Sequence, residues 1–218
     1  MSTDPRADGL RIELGPIDPE LEAELSGVSL CSARVEAGAR RSPRPVRANL
    51  GRVADSINGA TAVNLRHRPI PWAYRVFFRH IGLDPDESRT PVEQASFERI
   101  AHGGLRSRGL PADALMIATL ETHVAVRAFD DDQLDGLPGV RGSRPGERLE
   151  GRPGELPEGT LVIADRSRVL SLLFGLPAAS VEVAKTTEAS RICALGVSGV
   201  PAIALEEAIW VVAELMSA

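Results

Sequence analysis

Residues 72–93 read W-A-Y-R-V-F-F-R-H-I-G-L-D-P-D-E-S-R-T-P-V-E. They hold three of the chain's seven Trp and Phe residues (Trp72, Phe77 and Phe78) and its single tyrosine, Tyr74. On a repeat of about 3.6 residues, Ala73, Val76, Phe77 and His80 fall on one stripe, with Tyr74 and Ile81 at its edge and Trp72, Arg75 and Arg79 opposite. The spacing predicts a helix that buries this stripe. Gly82 stops it, because glycine takes the left-handed conformation of a C-terminal cap at little cost. Asp84-Pro85-Asp86 is turn chemistry. Thr90-Pro91-Val92-Glu93 then starts a new helix. Thr90 is the expected N-cap, Pro91 takes the first helical position, and Glu93 closes a capping box. Its position makes Glu93 a structural cap.

Working outward, the 218 residues fit one large domain or two small ones, with enough chain for a sizeable core. Hydrophobic residues make up 43% and mean hydropathy is near zero, the composition of an ordinary globular protein. No apolar run reaches the roughly 18 residues of a membrane span. Residues 1–8 are polar and read as a disordered tail without the apolar core of a secretory signal. Cys31 and Cys193 sit in apolar, strand-like runs and read as buried free thiols, which fits a cytoplasmic protein. The four histidines, His67, His80, His102 and His123, show no metal-ligand spacing, so neither a metal nor another cofactor is expected.

Net charge is −5, which argues against a strong general nucleic-acid binder, and no DNA partner is expected. The charge is unevenly spread. Residues 34–108 carry 14 basic and 7 acidic side chains, a net +7, whereas residues 1–33 carry a net −5 and residues 109–218 a net −7. Of the 25 basic residues all but Lys185 are arginine, which gives planar, bidentate contacts to phosphate and carboxylate. Arg40, Arg41, Arg44 and Arg47 cluster beside two prolines, as either a solvated loop and helix face or a phosphate-contacting edge.

Along the chain, residues 10–14 are a short strand candidate. Residues 18–25 form a short acidic helix with Asp18 as N-cap and Pro19 at its first position. Residues 27–35 alternate like a strand, and a helix covers roughly 46–57. The helix begun at Thr90 runs to about His102, and another covers 111–121. Residues 124–129 are a strand that ends in Asp130-Asp131-Asp132. Three adjacent carboxylates in a strand cannot face one point, so they read as a solvated turn rather than a cation site. A glycine- and proline-rich stretch follows over 136–159. Strands are expected at 160–164, 168–174, 181–187 and 191–197. Residues 201–216 carry the clearest helical repeat, through Leu205, Ala208, Ile209, Val212, Leu215 and Met216. Helices in the first half and strands mostly in the second indicate an α+β fold, a mixed or antiparallel sheet with flanking helices, rather than a βαβ series. Residues 1–26 divide off as a tail and short acidic helix, and 27–218 as a single domain.

Four ordered motifs then resemble one family. Tyr74, Arg75, Phe77, Gly82, Asp84, Pro85, Arg89 and Glu93 match freestanding relatives of the editing domain of the bacterial phenylalanyl-tRNA synthetase beta chain, the B-three/B-four domain. R-A-F-D-D-D-Q-L at 127–134 is similar to the family's H-A-F-D-L-D-K-L. G-T-L-V-I-A-D at 159–165 is similar to G-E-V-V-Y-A-D, and K-T-T-E-A-S-R at 185–191 to K-V-T-E-E-T-R. The match covers roughly residues 70–218, with a looser fit from Gly27. It implies the fold of that editing domain. It also implies an activity, since in the synthetase the domain hydrolyses mischarged tyrosyl-tRNA by water attack on the ester, with the developing oxyanion stabilised.

Three positions depart from the synthetase pattern. The family's histidine is Arg127 here, and its Thr-Asn pair falls at Leu115 and Met116. These changes indicate a different pocket on the same scaffold and leave no residue assigned as catalytic. Arg75, Arg89, Arg127, Lys185, Thr187, Glu188 and Arg191 remain as candidates for substrate binding. Each has a plainer role open to it. Lys185 is either an exposed strand-end residue or a cation for a phosphate or carboxylate. Thr187 either caps a helix start or lines a pocket. The arginines either form ion pairs with Asp84, Glu93 or Glu188 or reach a ligand. Two functions follow. One is an editing-like or tRNA-binding protein whose partner is tRNA or aminoacyl-tRNA, with Trp72, Arg75 and Arg79 facing single-stranded RNA. The other is a non-catalytic module that binds an amino-acid-like carboxylate.

Overall fold

The computed structural model describes residues 9–218; the tail expected over residues 1–8 lies outside them. The described residues form two antiparallel sheets and seven α-helices. The first sheet has the order β1-β2-β7-β3, with β1 at Ile12–Leu14, β2 at Ser29–Val35, β3 at Ala125–Asp130 and β7 at Ser190–Gly196. The second contains β4 (Gly139–Gly142), β5 (Leu161–Ala164) and β6 (Val169–Leu172) in sequence order. All strand pairs within both sheets are antiparallel. The α+β class read from the sequence holds.

Side-chain alternation sends the two faces of the first sheet into different cores. Cys31, Ala33 and Val35 of β2, Ile192 and Ala194 of β7 and Ala128 of β3 face one side. There they meet α2 (Arg44–Ser56), α3 (Gly59–Leu65), α5 (Pro91–Ala101), α6 (Ala112–Thr122) and α7 (Ala202–Ser217). Leu30, Cys193, Leu195, Ala125 and Phe129 face the other way, against α4 (Pro69–His80) and the second sheet. Residues before Gly27 join the same structure: β1 pairs with β2, and Leu21 of α1 (Pro19–Glu24) is buried in the second core.

The stretch at 72–93 folds as a helix, a stop and a helix, but its buried face is shifted. Ala73, Tyr74, Phe77 and Phe78 are buried; Val76 and His80, placed on the buried stripe by periodicity, are exposed. Arg75, placed on the outer side, is buried at 4% exposure. Its guanidinium donates to Asp86 at 2.5 Å and to Glu93 at 2.8 Å, and these pairs permit a burial that a hydropathy stripe excludes. Gly82, at φ 78°, closes α4 with a Schellman motif: Leu83 N–H donates to the Phe78 carbonyl and Gly82 N–H to that of Arg79. The capping box at α5 is present, the Glu93 carboxylate accepting from the Thr90 N–H and hydroxyl.

Two further expectations are corrected. Residues 181–187 form no strand; a 3-10 turn at Ala179–Val181 leads into a loop in which the Thr187 hydroxyl accepts from the Ala184 N–H. Of the three aspartates at the end of β3, only Asp132 sits exposed in a turn as expected. Asp130 is buried and accepts from the Thr187 hydroxyl at 2.6 Å. Asp131 pairs with Arg34 at 2.8 Å and with Arg191 at 2.7 Å. Partners distant in sequence, a hydroxyl for Asp130 and two guanidiniums for Asp131, satisfy carboxylates which, taken alone, belong in water.

Candidate functional site

Among the described residues, strand β3 lies at the edge of its sheet, with β7 on one side and no strand on the other. Which of its main-chain groups are free follows from the register. Asp131 N–H donates to the Ala189 carbonyl at 2.9 Å, and Ala125, Arg127 and Phe129 stand opposite Leu195, Cys193 and Arg191. Odd-numbered residues of β3 therefore turn their N–H and C=O groups towards β7, and Val126 and Ala128 turn theirs to the open edge. At the start of the strand the ladder is bridged by a side chain. The Tyr74 hydroxyl donates to the Leu195 carbonyl at 2.5 Å and accepts from the Ala125 N–H at 3.1 Å.

The open edge lines a cleft of about 650 Å³. Gln94, Ala95 and Glu98 of α5 and Leu115, Met116 and Thr119 of α6 form its helical wall. A lip at residues 174–177, just after β6, forms the other. Leu176 on this lip is 86% exposed. The positions where the sequence departs from the synthetase pattern, Leu115, Met116 and Arg127, all line this one cleft. Among its described lining residues there is no His, Cys, Ser, Tyr or Lys. Its charged groups are Arg89, Arg108, Arg127, Glu98 and Glu182.

Arg127 holds the lip. It shares its sheet face with Cys193 and extends towards the second sheet, where its guanidinium donates to the Ser171 hydroxyl at 2.9 Å, to the Leu173 carbonyl at 3.1 Å and to the Gly175 carbonyl. No carboxylate pairs with it among the described residues. Burial pulls its pKa down to about 10, so it remains a cation at neutral pH, balanced only by neutral oxygens.

The seven predicted binding residues divide. Arg89 and Arg127 line the cleft. Arg75 lies in the joint between α4 and α5; burial pulls its pKa down, but the bonds to Asp86 and Glu93 outweigh that and hold it above the usual arginine value. Arg191 ties β7 to Glu13 at 2.8 Å and to Asp131. Thr187 is taken up by Asp130 and Ala184. Lys185 and Glu188 are exposed and do not line the cleft. Arg108, the lip and the open edge join the cleft without having been expected from the sequence. A turn signal marks Arg108, which precedes Gly109-Leu110-Pro111. The free edge carries no residue signature, because it follows from strand order.

A larger cleft, about 920 Å³, lies between α1, the end of α4 and the second sheet, and includes none of the seven. Among the described residues no group of three or more His, Cys, Asp or Glu side chains is placed to hold a metal ion, and no helix is long and apolar enough to cross a membrane.

No family model matches the chain. Over 109 residues it is 38% identical to the phenylalanine–tRNA ligase beta subunit of Xanthomonas euvesicatoria pv. vesicatoria, a match that covers 49% of this chain and 13% of that one. Over 140 residues it is 31% identical to the beta subunit of the same ligase from Legionella pneumophila (strain Paris), covering 62% of this chain and 17% of the other. The chain contains a domain related to this subunit. It corresponds to a small part of the ligase beta subunit, spanning 13% to 17% of the length of these curated relatives.

Proposed function

We propose that this protein binds the aminoacylated 3′ end of a tRNA, as an editing-like factor built on a domain of the ligase beta subunit, with the acyl group seated in the cleft beside β3. The relationship to the phenylalanine–tRNA ligase beta subunit carries this reading. The cleft supports it chemically. The free N–H and C=O groups of Val126 and Ala128 match the main-chain carbonyl and α-amino group of an aminoacyl unit. Leu115 and Met116 give the acyl side chain an apolar wall, which favours an aliphatic group over a hydroxyl-bearing one. Arg89 and Arg108 supply cations for the phosphates. Without a serine, cysteine or histidine in the lining, we take direct attack by water as the route of any hydrolysis, with Glu98 and Glu182 the carboxylates available as its base.

Deacylation of a panel of mischarged tRNAs tests this reading, together with salt-dependent tRNA binding. Turnover or retention of tRNAs that carry aliphatic amino acids is the expected result. Neither turnover above background nor salt-sensitive binding would sink it. A second reading is favoured by Arg127, a cleft-lining cation without a carboxylate partner: the cleft holds a free amino-acid-like carboxylate and performs no chemistry. Thermal shift across amino acids separates the two, because only the second expects free carboxylates to stabilise the protein without any tRNA effect.

A further inference from the structure

We propose that Arg89 and Phe97, with Arg108, form a docking platform for the terminal nucleotide of the RNA; this rests on the reading of the cleft as an aminoacyl-RNA site. The argument begins with the charge on Arg89. Of the three carboxylates within four residues of it, Asp86 and Glu93 are taken by Arg75, at 2.5 Å and 2.8 Å, and Glu87 makes no ion pair with it. Arg89 is left with no ion pair among the described residues. Its guanidinium instead lies 4.0 Å from the ring centroid of Phe97. Phe97 is 46% exposed, so an aromatic ring with a guanidinium laid over it is presented to solvent.

The pair stands at the entrance to the cleft. Arg89 is among its lining residues, and Phe97 lies one helical turn beyond Gln94, which also lines it. Arg108, exposed and likewise without an ion pair among the described residues, belongs to the same lining. A guanidinium flattened on a ring offers its outer face for stacking and keeps its N–H edges for a phosphate. A base stacks on such a surface whatever its identity, and a second arginine meets the phosphodiester next to it. An acyl group in the cleft is joined through its ester to a terminal ribose, so the base and phosphate of that nucleotide must lie at the entrance. The middle third of the chain, net +7 over residues 34–108, supplies the wider field that attracts RNA to this side.

Fluorescence anisotropy tests the platform, with a tRNA acceptor-stem hairpin that has its unpaired 3′ end and the same hairpin lacking the terminal adenosine. Phe97→Leu removes the ring, Arg89→Lys keeps the charge but removes the plane, and Arg152→Ala removes an equal charge elsewhere. The wild type is expected to bind the full hairpin about tenfold more tightly than the shortened one. Phe97→Leu and Arg89→Lys should each abolish that difference, and Arg152→Ala should preserve it. If both platform variants retain the full preference for the terminal nucleotide, the platform is wrong and the RNA-binding reading survives. If the wild type binds neither hairpin, both fall. Should Phe97→Leu fail to fold, Arg89→Lys decides alone, since the residue is exposed.

Discussion

Arg127 is the residue on which the shape of the cleft depends. Its guanidinium gathers the Leu173 and Gly175 carbonyls and the Ser171 hydroxyl, and so adds to the main-chain bridge between Ser171 and Pro177 that folds the lip back on β6. Arg127→Met fits the volume but leaves these acceptors without their donor. We expect it to cost about 2–3 kcal/mol in chemical denaturation. It should also speed exchange of the Gly175 and Ala178 amides, which donate to the Leu172 and Leu170 carbonyls, with the first sheet unaffected. Thr187 and Lys185 form an opposing pair of tests two residues apart. Thr187→Val removes the hydroxyl between Asp130 and the Ala184 N–H and should cost about 1–3 kcal/mol. Lys185→Ala is expected to stay within about 0.5 kcal/mol, as exposed substitutions do. Equal losses at the two positions would contradict this division between buried and surface roles.

Among the elements, the turn between β5 and β6 depends on one carboxylate. Asp165 accepts from the N–H groups of Ser167 and Arg168 on one oxygen and from that of Asp135 on the other. Burial pushes its pKa up, but these bonds outweigh burial and hold it below the ordinary aspartate value. The folded state therefore releases this proton more readily than the unfolded chain. Its contribution is fully present above the usual carboxylate range and is lost as pH falls through the lowered value. Asp165→Asn should cost about 1–3 kcal/mol at neutral pH and flatten the acid limb of a stability–pH profile; an unchanged limb would reject this account. Local signals made many such elements legible. The capping box at Thr90, the stop at Gly82 and the apolar repeat of α7 each involve residues within a few positions of one another. The buried face of α4 was legible only to within one residue. What buries Arg75 is a pair of carboxylates 11 and 18 positions away, to which hydropathy is blind. Asp130 and Asp131 follow the same rule, since Thr187 reaches Asp130 from a distant loop and Arg34 and Arg191 reach Asp131 from other strands.

For the whole molecule, the sequence conveyed the α+β class and two cleft-lining arginines but not the cleft. Its floor is an unpaired strand edge, and a strand becomes an edge only when all the others have taken their places. The same sheet fixes the behaviour of the thiols. Cys31 stands opposite Ala194, and Cys193 opposite Ser32, so the two sulfurs project from opposite faces and cannot bridge. Burial raises both pKa values, that of Cys193 to about 12. At neutral pH a thiol-reactive disulfide reagent should label neither cysteine faster than the protein unfolds, and both should react at once in denaturant. Rapid labelling of Cys193 in the native protein would show that the second core opens locally.

The Tyr74 hydroxyl has a consequence for measurement. It takes the place of a direct bond between Ala125 and Leu195, so the Ala125 amide is shielded by a side chain of α4 and not by the neighbouring strand. In native-state hydrogen exchange that single amide is a built-in gauge. Its rate follows the docking of the helix, whereas the amides of Arg127 and Phe129 follow the opening of the sheet. The free-energy gap between these two readings gives the undocking of α4 apart from global unfolding, without any probe added to the chain.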